Sequence, residues 1–161
     1  MPPINAPSRP ATSPTSGRLA PLSADPAPLF VYGSLLFPDV LRVLIDRDPT
    51  RYPADVTGWR VIALPDQVYP ALIADPAGST TGHILADITP TEWRTIDAFE
   101  ADGYHLAKLR TDSDGPAWAY TVPDPHDLPD HPWDLDAFAG THLAAYLDRC
   151  RAWRNRHDAT R

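Results

Sequence analysis

The sequence predicts an α+β domain in which short strands and amphipathic helices follow one another along residues 29–157. Three observations point there. The apolar β-type run Leu29-Phe30-Val31-Tyr32 breaks at Gly33-Ser34 and passes into a helical pattern, which reads as strand, tight loop and helix. Residues 81–88 alternate, with Ile84, Ala86 and Ile88 set against His83, Leu85 and Asp87. Near the end, Leu143, Tyr146, Leu147, Cys150 and Trp153 recur at helical spacing and form one apolar stripe.

Residues 1–28 hold eight of the 20 prolines, and after Ile4 their only large apolar groups are Leu19 and Leu22. Too little surface can be buried there to offset the entropy of ordering, so a disordered tether is expected, with no part in any site. After the first strand, Pro38 and Asp39 open a helix whose Val40, Leu41, Leu44 and Ile45 share a face, and Asp48-Pro49 closes it. Strand-like runs at 56–64, 67–74 and 81–88 imply a meander or small barrel. Thr89-Pro90-Thr91-Glu92 is a helix start: Thr89 can cap, Pro90 suits the first helical position, and Glu92 completes a capping box. That helix should reach about Glu100, and strands at 104–111 and 116–122 should follow, then a Pro- and Asp-rich loop at 123–132. In the closing helix, Arg149, Arg151, Arg154 and Arg156 suit the negative end of its own dipole.

Composition narrows the function. A chain of 161 residues, 43% hydrophobic, has room for one domain with its own core. A formal charge of -7 opposes phosphate backbones, so nucleic acid is excluded. No apolar run approaches the roughly 20 residues that span a bilayer, and no secretion-signal core is present, so a cytoplasmic protein without a membrane partner is expected. The single cysteine, Cys150, lies on an apolar stripe, where packing rather than nucleophilic chemistry is expected. The oligomeric state is left open.

One carboxylate stands out. At about 100° per residue from Trp93, Ile96 falls near 300° and Glu100 near 340°, so Glu100 shares the buried stripe. An apolar wall there would raise its pKa toward the range useful for proton transfer. Asp97, near 40°, is the rival acid, expected instead to bond loop amides. In Tyr32-Gly33-Ser34-Leu35 a glycine ends a strand just before a helix, which lets backbone amides converge on a carboxylate or oxyanion. The loop lacks the second glycine and the lysine of a phosphate-binding loop.

Taken together, Phe30-Val31-Tyr32-Gly33-Ser34-Leu35-Leu36, Val68-Tyr69-Pro70-Ala71, Gly82-His83-Ile84-Leu85, and Ile96-Asp97-Ala98-Phe99-Glu100 with Tyr104 resemble the γ-glutamylcyclotransferase-like family, particularly its avirulence-induced-gene-like branch. The likeness runs from 29 to about 153 and includes Trp133-Asp134, His142-Leu143 and Tyr146. It implies a small mixed β-barrel with flanking helices, whose cavity takes the γ-glutamyl group of a γ-glutamyl amine. On that likeness Glu100 is the acid/base, the amides of Tyr32, Gly33, Ser34 and Leu35 anchor the substrate, and Pro70, Tyr104 and Tyr120 line the cavity. Two departures bear on the distal half of the substrate: Leu106 where the branch commonly has arginine, and Ala101 where it commonly has glycine.

The implied reaction is intramolecular: the substrate's own α-amine closes onto its γ-carbonyl, and 5-oxoproline and a free amine leave. Neither cofactor nor metal is expected. His126, Asp127, Asp130 and His131 match no ligand spacing, His83, His105 and His142 read as structural, and Ser34 sits in no Gly-x-Ser-x-Gly elbow. Two alternatives remain: a binding module of the same fold without turnover, and an enzyme that removes an acyl protecting group in a biosynthetic pathway.

Overall fold

The computed structural model describes residues 17–112, 115–125 and 128–160. Five strands form one mixed sheet in the order β2-β3-β1-β5-β4. The strands are β1 (Leu29–Val31), β2 (Arg51–Ala63), β3 (Pro70–Leu85), β4 (His105–Arg110) and β5 (Pro116–Thr121). β1 lies at the centre, antiparallel to β3 through Leu29↔Leu85 and parallel to β5 through Leu29↔Trp118. Its three residues are all buried, as a central strand covered on both faces requires.

Alternation sorts the strand residues to two sides. Phe30, Val56, Leu72, Ile84, Leu109, Ala117 and Ala119 pack together inside the curl of the sheet. Leu29, Val31, Ala71, Leu85, Trp118 and Tyr120 face the helices. The two edge strands approach each other at one bridge, Val56↔Thr111, beside which the Asp112 amide donates to the Asp55 carbonyl at 3.0 Å. The small mixed sheet with flanking helices is thus as expected, and a single bridge rather than a ladder joins its edges.

The strands expected at 67–74 and 81–88 are one strand, β3. Gly58, at φ 88°, sits in a bulge of β2, and beyond it Thr57 still pairs with Ser79. Gly78 permits the crossing, because a Cβ there would meet the Trp59 carbonyl oxygen at 2.8 Å. The turn-like Pro76-Ala77-Gly78 stretch is therefore carried inside a paired strand.

Helices cover the second face. α1 (Ala20–Ala24) precedes the sheet, and α2 (Pro38–Ile45) begins at Pro38 and ends at Asp46, whose φ is 66°. α3 (Pro90–Phe99) starts with the expected capping box: the Glu92 amide donates to Thr89 Oγ1 at 3.2 Å and the Thr89 amide to Glu92 Oε1 at 3.0 Å. α4 (Leu135–Ala137) leads through a π turn at Phe138–His142 into α5 (Leu143–Ala159). Arg154 of α5 donates to the Val43 and Leu44 carbonyls at 3.1 and 2.8 Å, so it caps α2 rather than the end of its own helix.

The expected tail boundary at residue 28 is corrected. Residues 17–28 form a 3-10 turn (Gly17–Leu19), α1 and an extended stretch, with Leu19 only 7% exposed in the helix–sheet core. Leu19 and Leu22 were the apolar anchors that composition underweighted. Residues 1–16 lie outside the described residues. Among the described residues no helix is long and apolar enough to cross a membrane.

Candidate active site

β1 stops at Val31 because Gly33 turns the chain into a 3-10 turn at Ser34–Leu36 that runs on to α2. Gly33 is required by crowding: a Cβ there would meet Pro70 Cγ at 2.7 Å. Ser34 and Leu35 open a helical turn, so their amides have no acceptor within it and are available to an anion. The loop seats on Pro70, the first residue of β3, and together they form one wall of a cavity.

The end of α3 borders the same cavity. The Glu100 amide still bonds to the Ile96 carbonyl at 3.0 Å, but its own φ and ψ of -69° and 142° are extended, so the chain leaves the helix there. Tyr32, Gly33, Ser34, Leu35, Pro70, Glu100, Tyr104 and Tyr120 all border this one cavity. The structure therefore gathers every site residue named from sequence. Tyr69, Phe99 and Tyr146 join them unpredicted. Tyr146 had been absorbed into the apolar stripe of α5, and only its neighbours in space distinguish a stripe residue from a wall residue.

Four tyrosine hydroxyls are committed. Tyr32 donates to the Tyr120 carbonyl at 2.7 Å, Tyr104 to the Pro70 carbonyl at 2.5 Å, and Tyr120 to Asp97 Oδ1 at 2.7 Å. The Tyr146 hydroxyl and Ser34 Oγ share a 3.2 Å hydrogen bond. Burial pushes all four phenols well above their ordinary range, so they stay neutral. Asp97 is also committed. Sequence reasoning assigned it to loop amides, but among the described residues it instead accepts from Tyr120 and pairs with Arg18 Nε at 3.0 Å.

Glu100 differs from its neighbours. Among the described residues its carboxyl takes no hydrogen bond, and burial lifts its pKa to about 7, a rise opposed by the Arg18 charge and reinforced by Asp97. A carboxyl that titrates near neutrality and has no fixed partner can accept a proton and return it. Ser34 has no base, and burial pushes the Cys150 thiol up to about 12, which leaves it unreactive at neutral pH.

Among the described residues, neither the histidines nor residues 123–125 and 128–132 of the proline-rich loop border the cavity. His83 lies 3.5 Å from Arg51, and the Asp130 carboxylate pairs with Arg60. His126 and Asp127 lie outside the described residues. Arg18, which sequence reasoning placed in a tether, reaches the end of α3 instead.

Comparison with known proteins places the chain in a family. Residues 29–135 match the family model described as gamma-glutamyl cyclotransferase, AIG2-like. The chain belongs to that family. AIG2-like protein D of Arabidopsis thaliana is 30% identical over 127 residues, which cover 74% of this chain and 83% of that protein. AIG2-like protein C of the same plant is 40% identical over 72 residues, but the match spans only 45% of this chain and 42% of that protein. In fold, a solution structure from Arabidopsis thaliana matches with a TM-score of 0.59 at 22% identity, covering 82% of this chain and 84% of that one. A crystal structure from Pyrococcus horikoshii matches with a TM-score of 0.52 at 15% identity, over 74% of this chain and 96% of that one. The AIG2-like family model begins where β1 begins, so residues 17–28 lie outside the matched region.

Proposed function

We propose that this AIG2-like chain is a cyclotransferase that acts on γ-glutamyl amines and releases 5-oxoproline and a free amine, with Glu100 as its acid/base. The observation that carries the reading is the uncommitted Glu100 carboxyl, with its pKa lifted to about 7, bordering one cavity together with the 32–35 loop.

Ionised Glu100 takes a proton from the substrate's α-ammonium. The freed amine attacks the γ-carbonyl carbon and closes a five-membered ring. Glu100 gives that proton to the distal nitrogen as its bond to carbon breaks, then takes the extra proton of the ring nitrogen and passes it to the departing amine, so that 5-oxoproline keeps one N–H, the amine leaves as its ammonium and Glu100 is ionised again. No water is consumed and no external nucleophile is needed. An ordinary glutamate near 4.3 would be mismatched with an α-ammonium near 8 by about four units, and burial narrows that gap. Positioning supplies most of the remaining acceleration, on the order of 7 to 11 kcal/mol in favourable intramolecular cases. The loop amides would hold the α-carboxylate or the developing oxyanion, a role that neutral tyrosines do not oppose electrostatically.

The distal amine has a place to go. A recess of about 290 Å³, bordered by Leu64, Gln67, Val122 and Leu128, shares Tyr69 and Tyr104 with the cavity. Its lining is mainly apolar and also includes Asp124, and it would suit an amine with an apolar body. Incubation with a panel of γ-glutamyl amines, read for 5-oxoproline and amine by mass spectrometry, tests the proposal. Turnover of apolar amines ahead of charged ones is the expected result. Binding of the panel without release of 5-oxoproline would favour the binding module instead, and release of the intact acyl acid would favour the deprotecting amide hydrolase.

A further inference from the structure

Residues 17–28 lie outside the region matched by the family model, yet they are tied to the domain at both ends. At one end the Trp118 indole donates to the Asp25 carbonyl at 3.0 Å, the Trp118 amide donates to the Pro28 carbonyl at 2.8 Å, and Lys108 pairs with Asp25. At the other end Leu19 enters the core and Arg18 reaches the turn that carries Glu100.

The Arg18 contacts are concentrated on that turn. Nη2 donates to the carbonyls of Asp97 and Glu100 at 2.7 and 3.1 Å, and Nη1 to those of Ala101 and Tyr104 at 2.6 and 3.1 Å. Carbonyls at the end of a helix lack intrahelical donors, and a cation there also meets the negative end of the dipole. Nε pairs with Asp97 Oδ1 at 3.0 Å, the same oxygen that accepts from Tyr120. The guanidinium lies 5.4 Å from the centroid of the Tyr120 ring. The Tyr120 carbonyl in turn accepts from Tyr32, so the network runs from Arg18 to the substrate-facing loop.

We propose that Arg18 is a positioning residue for Glu100: it fixes the 97–104 turn by its carbonyls and places a positive charge beside the carboxyl, so that this N-terminal segment completes the site. The kinetic part rests on the cyclotransferase reading, whereas the coupling of Arg18 to Glu100 does not. Without the guanidinium, four carbonyls lose a donor and Asp97 loses its counter-ion. Lysine would keep a charge but, as a single ammonium, could not span the same fork.

Among the described residues, the charged groups that act on Glu100 are Arg18 and Asp97. Tyr32, Tyr69, Tyr104, Tyr120, Tyr146 and Cys150 are also coupled to it, and burial keeps them neutral near pH 7. Arg149, 5.8 Å from the Tyr146 ring centroid, is unchanged in the variants below.

The chain has only two glutamates, Glu92 and Glu100, so carboxyl-¹³C-glutamate labelling yields two carboxyl signals, assigned with Glu100→Gln. In the full-length protein, Arg18→Met is expected to move the Glu100 midpoint upward, because the charge that lowers it is gone. Arg18→Lys should hold the midpoint near that of wild type while kcat falls about tenfold with little change in KM, the mark of lost alignment. The acid limb of the pH–rate profile should follow the same pattern. If Arg18→Met does not fold, Arg18→Gln repeats the midpoint measurement. An unmoved midpoint in the folded neutral variant would overturn the electrostatic role, and wild-type kcat in Arg18→Lys would overturn the alignment role. If the wild-type protein turns over no γ-glutamyl amine, the cyclotransferase reading fails, and the midpoint of Arg18→Met still decides the coupling.

Discussion

Glu92 and Glu100 lie eight positions apart on and just past one short helix, and their environments drive them in opposite directions. Glu92 sits at the start of α3, where the Arg47 fork holds it at 2.6 and 2.7 Å and the Thr89 amide donates to it at 3.0 Å. These bonds, those from Arg47 foremost, hold its carboxyl below the usual range. Glu100 sits at the end of the same helix without a fixed partner, and burial lifts it to about 7. On the proposed function one side chain serves structure and the other chemistry, and what separates them is the commitment of the carboxyl oxygens. A partnered carboxylate is a poor proton carrier, because each transfer would have to break its bonds.

The largest effect should come from removing the uncommitted member. Glu100→Gln is expected to keep the fold and substrate binding while kcat drops by about 10² to 10⁴. It also carries a stability signature. The folded carboxyl binds its proton more tightly than the unfolded one, so wild-type stability falls as pH rises from about 4.5 toward about 7. The advantage of Glu100→Gln in melting temperature should therefore grow across that window and level off above it. A flat difference between pH 4.5 and 8 would remove the basis for a raised pKa.

A smaller effect is expected from the 32–35 loop. Gly33→Ala places a methyl 2.7 Å from Pro70 Cγ, and a ring locked in β3 cannot swing aside like a flexible side chain. Overpacking of this kind costs about 1 to 3 kcal/mol. KM for the best γ-glutamyl amine should rise about tenfold through displacement of the 32–35 amides, with the Glu100 midpoint unchanged. An unaltered KM would separate the loop from substrate anchoring.

The smallest effect on activity should come from Glu92→Gln, which removes the charge from the Arg47 pair and weakens the capping box, at a cost of about 1 kcal/mol. Turnover should be retained. Because the folded Glu92 carboxyl is held low, its contribution is present above its unfolded pKa of about 4.5 and is lost as pH falls through the folded value. Denaturant melts at pH 7 and pH 3 should show the deficit shrinking in acid, the opposite slope to that of Glu100→Gln.

Sequence reasoning succeeded wherever the cause was local. The capping box of α3, the glycine break after β1 and the apolar stripes follow from spacing over a few residues. Glu100 was legible for the same reason, as a carboxyl in register with Trp93 and Ile96. Where a partner lies far along the chain, the reading failed. Asp97 was assigned to loop amides but bonds Arg18 and Tyr120, and 67–74 and 81–88 were separated although β2 holds them in one strand.

What the sequence by itself determined is therefore most of the order of elements, the glycine loop and the register of Glu100, because periodicity, capping and glycine geometry are short-range, while Pro70, Tyr104 and Tyr120 were named through the family likeness. Only the tertiary structure decided which carboxyl oxygens are free, which tyrosines are walls, and that residues 17–28 pack on the domain. Those outcomes depend on Arg18 meeting carbonyls near residue 100 and on the desolvation of Glu100, and both arise only when segments remote in sequence exclude water from the same place.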